Sequence, residues 1–197
     1  MIAGASRPFG GPTDLSSKVL LVLFVGAVLL DQLVGGASVR RGSRQDRGTF
    51  WLIQAAQAAA LAGALVAPRA LPQADLPDSA WVAGAVAMVA GATLRWRSLL
   101  ALGQHFHRNV QVLHDQDLVT TGPYRRLRHP SYTAALLLFG GIGLGQANIA
   151  SVAVAFVLPA AAYSYRIAVE ETEMRRVLGV RYEQFASTRQ RLIPWIY

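Results

Sequence analysis

Five apolar segments, at roughly 18–35, 50–67, 80–97, 131–147 and 149–168, dominate the chain, each close to the ~20 residues a helix needs to cross hydrocarbon. Inside a bilayer the backbone finds no water to bond, so such segments suit helices and not open strands or loops. A soluble domain of 197 residues seldom carries 53% hydrophobic residues with only 15% charged ones. The expected architecture is therefore all-α, a polytopic membrane protein with five transmembrane helices.

The net charge of +8 raises nucleic acid as a partner, because clustered arginine is the footprint of phosphate binding. Its distribution argues for a lipid bilayer instead. Arg40, Arg41, Arg44 and Arg47 follow the first apolar segment; Arg95, Arg97, Arg108, Arg125, Arg126 and Arg128 follow the third; Arg175, Arg176, Arg181, Arg189 and Arg191 lie in the tail. Arginine thus gathers in alternate loops, whereas the linker holding Pro68, Pro72, Asp75, Pro77 and Asp78 has only Arg69. This predicts an N-terminus outside and a C-terminus in the cytoplasm. The arginines after the first segment also oppose a cleaved signal, although Val19 to Leu30 has the apolarity of an h-region. Lys18 is the only lysine beside many arginines and alanines, which suggests a GC-rich bacterial source and an inner-membrane location.

Cysteine is absent, which excludes disulfides, thiolate nucleophiles and cysteine-ligated metals. His105, His107, His114 and His129 fall in or beside the polar stretch 103–130, but His105-x-His107 lacks a partnering E-x-x-H, so no metal is expected. There is no G-x-S-x-G elbow. Gly141-Ile142-Gly143-Leu144-Gly145 lacks dinucleotide-loop spacing and reads as close helix packing. Gln146, Ala147 and Asn148 leave room only for a tight turn, making the last two segments antiparallel neighbours. The entry Arg128-His129-Pro130 and the exit Glu170-Glu171 therefore meet at one membrane rim, where ionisable groups are costly and point to function. The plainer account is a pair of surface i,i+4 salt bridges, Arg166 with Glu170 and Glu171 with Arg175. Asp31 reads as a structural hydrogen-bonding group near a helix end, and Trp96, between Arg95 and Arg97, as an interface anchor or part of a headgroup pocket. A polar helix is expected from Arg166 to about Leu178, stopped by Gly179 as a left-handed cap, with the remainder to Trp195 and Tyr197 along the interface.

An ordered set of residues runs through the C-terminal half: Leu94-Arg95, Leu102-Gly103-Gln104-His105-Phe106, Val110-Gln111, Leu118-Val119-Thr120-Thr121-Gly122-Pro123-Tyr124, Arg128-His129-Pro130-Ser131-Tyr132, then Arg166, Glu170-Glu171, Gly179, Tyr182 and Pro194. In this set the chain resembles the isoprenylcysteine carboxyl methyltransferase family, integral-membrane enzymes that use S-adenosyl-L-methionine. The resemblance implies an N-terminal region of membrane helices, 1–102, and a catalytic region, 103–197, with a cytosolic cofactor pocket formed by the 103–130 loop, the ends of the last two membrane helices and the C-terminal helix. The cofactor-binding positions it implies are Gln111, Val119, Gly122, Tyr124, His129, Pro130, Tyr132, Glu170 and Glu171. One departure is Ala134, where the family usually has glycine.

The chemistry is consistent with that resemblance. The cofactor's sulfonium and ammonium suit Glu170 or Glu171, Gly122 lets the backbone approach, and Tyr124 or Tyr132 offers a ring face. Arg128 and Arg166 are the natural clamp for an anionic acceptor, because the guanidinium fork matches a carboxylate. With Glu170 they form the expected catalytic group, acting on a hydrophobic or lipid-linked acceptor. A carboxylate nucleophile is already ionised and needs no base, whereas a phospholipid amine or a thiol would need His107, His129 or a carboxylate to take its proton. An NADPH-dependent membrane reductase and a non-enzymatic membrane scaffold are the alternatives from other classes.

Overall fold

The structure, a computed structural model, describes residues 18–26, 48–77, 79–102 and 118–193. Its elements are helices: α1 (residues 18–26), α2 (Thr49–Ala70), α3 (Ala80–Leu102), α4 (Pro130–Gly145), α5 (Ile149–Leu178) and α6 (Val180–Ser187). Single 3-10 turns at Pro72–Ala74 and Gly122–Arg125 connect them.

Five spanning helices are not what the described residues form. Three helices are long and apolar enough to cross a membrane, α2, α3 and α5, and α4 is a shorter apolar helix. At 16 residues α4 is about 24 Å long, short of the ~30 Å hydrocarbon core. Its ends are fixed by chemistry: Pro130 occupies the first helical position, where a missing N–H costs nothing, and the turn at Gln146 to Asn148 closes the other end. Of the first expected segment, residues 18–26 are helical; Asp31 and the arginines at 40–47 lie outside the described residues.

α4 lies between α3 and α5 and is apolar around its whole circumference, as a central helix must be. Glycine brings the backbones together. A Cβ on Gly141 would lie 2.5 Å from Met88 Cγ and 2.8 Å from the Gly84 carbonyl, and one on Gly84 would lie 2.6 Å from the Gly141 carbonyl. α1 closes the same layer, with Phe24 edge-on to Phe139 at 5.0 Å. Away from this core Trp51, Val66, Val86 and Val89 are exposed, an apolar belt of the kind a lipid-facing surface presents.

Asn148 organises the α4–α5 turn. Its side-chain oxygen caps α5 by accepting from Ala150 N and Ser151 N, while its amide donates to Leu71 O at 2.9 Å and Asp75 Oδ1 at 3.2 Å. α5 then runs unbroken for 30 residues, so the expected span and the expected polar helix are one element. Gly179 ends it as expected, but with φ 53° and ψ −127°, outside the left-handed helical well and in the glycine-favouring conformation of a II′ turn.

Candidate active site

The stretch after α6 folds back onto the entry of α4. Gln190 N donates to Arg126 O, Arg128 N to Gln190 O and His129 N to Arg191 O, while Thr133 Oγ1 donates to Leu192 O at 2.6 Å. Leu127 and Gln190 form a parallel bridge. Residues 189–192 form this strap; Trp195 and Tyr197, expected along the interface, are outside the described residues.

Strap, α4 entry and α5 exit enclose two carboxylates with different surroundings. Glu171 is 1% exposed and accepts from Arg128 Nη1 at 2.7 Å, Arg175 Nη2 at 3.2 Å and Arg191 Nη2 at 3.1 Å. Three guanidinium groups thus surround one buried carboxylate. Glu170, at 15% side-chain exposure, accepts on Oε1 from Arg166 Nε at 2.7 Å and from the Tyr132 hydroxyl at 2.6 Å. Among the described residues its Oε2 faces only His129 Nδ1, at 3.5 Å. The imidazole bridges the pair, because its Nε2 stands 3.4 Å from Glu171 Oε1. Both i,i+4 salt bridges read from the sequence form, yet neither is a plain surface pair, since Arg166 is 3% exposed and Glu171 almost completely covered.

Of the expected site residues, Arg128, His129, Pro130, Tyr132, Arg166, Glu170 and Glu171 come together here. Arg128 spends Nε on Arg189 O and Nη1 on Glu171; Arg166 spends Nε on Glu170 and Nη1 on Thr49 Oγ1, the start of α2. The Tyr132 ring stacks with His129 at 5.7 Å and with Tyr163 at 4.8 Å, and its hydroxyl is what it gives to Glu170. Tyr124 is buried in the 3-10 turn. Burial, opposed by the field of Arg95 and supported by the weaker one of Glu170, pushes its hydroxyl well above the usual phenol range. Gly122 takes φ 57°, a backbone angle that side chains disfavour. Val119 is half-buried in the extended stretch before it, and Gln111, His105, His107 and His114 lie outside the described residues.

Several contributors were given no site role in the sequence. Arg95 reaches across to the first turn of α4, donating to Ser131 Oγ at 2.6 Å. Arg191 completes the Glu171 cluster from the strap. Tyr182 is fully buried beside Glu171, and its hydroxyl has no hydrogen-bond partner among the described residues. Burial, reinforced by Glu171 and opposed by Arg128 and Arg175, pushes that phenol up to about 12. Gln57 on α2 donates to the Tyr163 hydroxyl at 2.6 Å. Arg95 and Tyr182 were legible through the ordered motif set and Gln57 as a glutamine within an apolar segment, whereas Arg191 stood only among the tail arginines.

Known proteins resemble this chain over part of its length. The chain is 27% identical over 120 residues to protein-S-isoprenylcysteine O-methyltransferase A of Arabidopsis thaliana, covering 59% of this chain and 61% of that protein. It is 29% identical over 116 residues to a probable protein-S-isoprenylcysteine O-methyltransferase of Oryza sativa, covering 57% and 60%. The chain thus spans about three fifths of the length of these relatives. Its fold matches the solved structure of the eukaryotic intramembrane Ras methyltransferase ICMT with a TM-score of 0.64 at 20% identity, over 92% of this chain and 68% of that one. The model of the phospholipid methyltransferase family matches residues 79–181, from the start of α3 into α6, over half of the chain and around both carboxylates. By that match, and in keeping with the resemblance read from its motifs, this polytopic all-α membrane protein belongs to the phospholipid methyltransferase family.

Proposed function

We propose that this chain is a membrane methyltransferase that moves a methyl group from S-adenosyl-L-methionine to a carboxylate on a hydrophobic or lipid-linked acceptor. The observation that carries the reading is the environment of Glu170. It is a partly exposed carboxylate with one oxygen fixed by Arg166 and Tyr132 and the other in long contact with His129 alone among the described residues. An anionic oxygen left with spare capacity fits the ammonium and sulfonium of that cofactor. Gly122, with its positive φ, gives a backbone that a ligand can approach closely. When bound, the cofactor supplies an electrophilic methyl on sulfur, which an acceptor oxygen takes as one C–O bond forms and one C–S bond breaks.

The chain's own residues then hold and orient. Glu171, already saturated by Arg128, Arg175 and Arg191, fixes the strap and the α4 entry instead of meeting ligand. Arg166, anchored by Thr49 and Glu170, presents its positive charge to the acceptor. Arg128, 15% exposed in its side chain, contributes field from its place on Glu171. Placing the basic end in the cytoplasm follows from the arginine-rich alternate loops.

Methylation of a phospholipid amine is the second reading, favoured by the family's description. There the amine must lose a proton, and His129, between Glu170 and Glu171, is the group placed to take it. Protein in nanodiscs, given methyl-tritiated cofactor and a long-chain carboxylic acid, separates the two. Label released as volatile methanol by alkali is a methyl ester and supports the first reading. Label kept on an amine lipid after the same treatment supports the second, and absence of transfer to either overturns both.

A further inference from the structure

Polar side chains inside an apolar span are costly and are seldom kept without a partner or a ligand. α2 carries two, Gln54 and Gln57, about 8 and 12 Å along the helix from Thr49 at 1.5 Å per residue. Both are half-buried and share the inward half of α2 with Ile53, Ala60 and Ala64, whereas Trp51, Leu52, Ala55 and Ala58 are exposed. Helical Cα–Cβ bonds tilt toward the helix N-terminus, which for both glutamines is the Thr49 end, where Arg166 bonds.

Gln57 bonds to the Tyr163 hydroxyl, Tyr163 stacks on Tyr132, and the Tyr132 hydroxyl bonds to Glu170. A polar and aromatic path therefore runs from the carboxylate at the basic end into the span. Interhelix glue accounts for Gln57. It does not account for Gln54, whose carboxamide has no hydrogen-bond partner among the described residues.

We propose that Gln54 and Gln57 form an acceptor-recognition site that binds a neutral hydrogen-bonding group, an amide, lying between the methyl-accepting carboxylate and the hydrocarbon chain of an amphiphile. The proposal rests on the methyl-transfer reading for the placing of the carboxylate near Arg166. A carboxamide is the fitting reader of an amide, since it offers one donor and one acceptor without charge. A bare fatty acid would bring hydrocarbon against both glutamines and leave the Gln54 carboxamide unsatisfied. An N-acyl amino acid would satisfy it and reach the Gln57 carbonyl.

The test is equilibrium binding in nanodiscs of N-palmitoylglycine and of palmitate at equal bilayer mole fraction, for the wild type, Gln54→Leu and Gln57→Leu. Binding is read without turnover, so a failure to methylate either acid refutes the methyl-transfer reading and leaves this result intact. The expected result is a preference of about tenfold for N-palmitoylglycine, the worth of about one buried hydrogen bond, reduced in Gln57→Leu and falling to near unity in Gln54→Leu with cofactor binding unchanged in the latter. Equal binding of the two acids by the wild type would overturn the proposal. So would a preference that survives in Gln54→Leu, or loss of cofactor binding with it, since the glutamines would then serve packing alone.

Discussion

Replacing Glu171 with glutamine removes one charge from a site where three guanidinium groups converge. Arg128 is the critical partner, 15% exposed in its side chain and 2.7 Å from the carboxylate. Arg191 and Arg175, at 34% and 41%, regain much of their hydration and add little. Breaking a buried ion pair costs about 3–5 kcal/mol, and with two of the three arginines able to turn to water the lower end, about 3 kcal/mol, applies. For a chain of this size that lowers the melting temperature by about 6–12 °C. The strap should loosen with it, because Arg191 is held from both sides, by Glu171 through its side chain and by His129 N through its carbonyl. Thermal unfolding in detergent reads the first effect. Hydrogen exchange at the Arg128 and His129 amides, which donate to the strap, reads the second. Unchanged melting and unchanged amide protection, with cofactor binding alone abolished, would refute the division of labour between the two carboxylates.

Two further outcomes follow from local geometry. Tyr182 gains its neutral form in the folded state, with its phenol raised from about 10 to about 12. Its contribution is thus fully present below about pH 10 and lost as pH rises toward about 12, at up to ~1.4 kcal/mol per pH unit. Alkaline unfolding of Tyr182→Phe should lack that added pH dependence, and an identical profile would contradict the burial argument. Gly141→Ala drives a methyl into Met88 and the Gly84 carbonyl and should cost about 1–3 kcal/mol, whereas unchanged stability would mean that α3 and α4 separate freely.

How much of this was legible in the sequence differs by element. Apolar length located α2, α3 and α4 to within a few residues, because hydrocarbon burial is written in composition. It misjudged the number of spans, since polar anchors at both ends cut α4 short. The meeting of His129 with Glu170 and Glu171 followed from a three-residue turn that forces antiparallel neighbours. The strap was not legible, because the Leu127–Gln190 pairing is made by backbone and leaves no side-chain pattern. Nor did spacing tell Glu170 from Glu171, which are adjacent in the chain and differ in what the fold brings to each, Arg166 and Tyr132 to the first and Arg128, Arg175 and Arg191 to the second. Gln54 and Gln57 stood in view as amides in an apolar run, with their meaning dependent on which face of α2 turns inward.

The most direct test of the central claim is a calorimetric titration of S-adenosyl-L-methionine into the detergent-solubilised wild type and Glu170→Gln. Loss of one charge-assisted hydrogen bond, about 1.5–3 kcal/mol, predicts affinity weakened by roughly ten- to more than a hundredfold, with the fold retained. Unchanged affinity in Glu170→Gln would contradict the account.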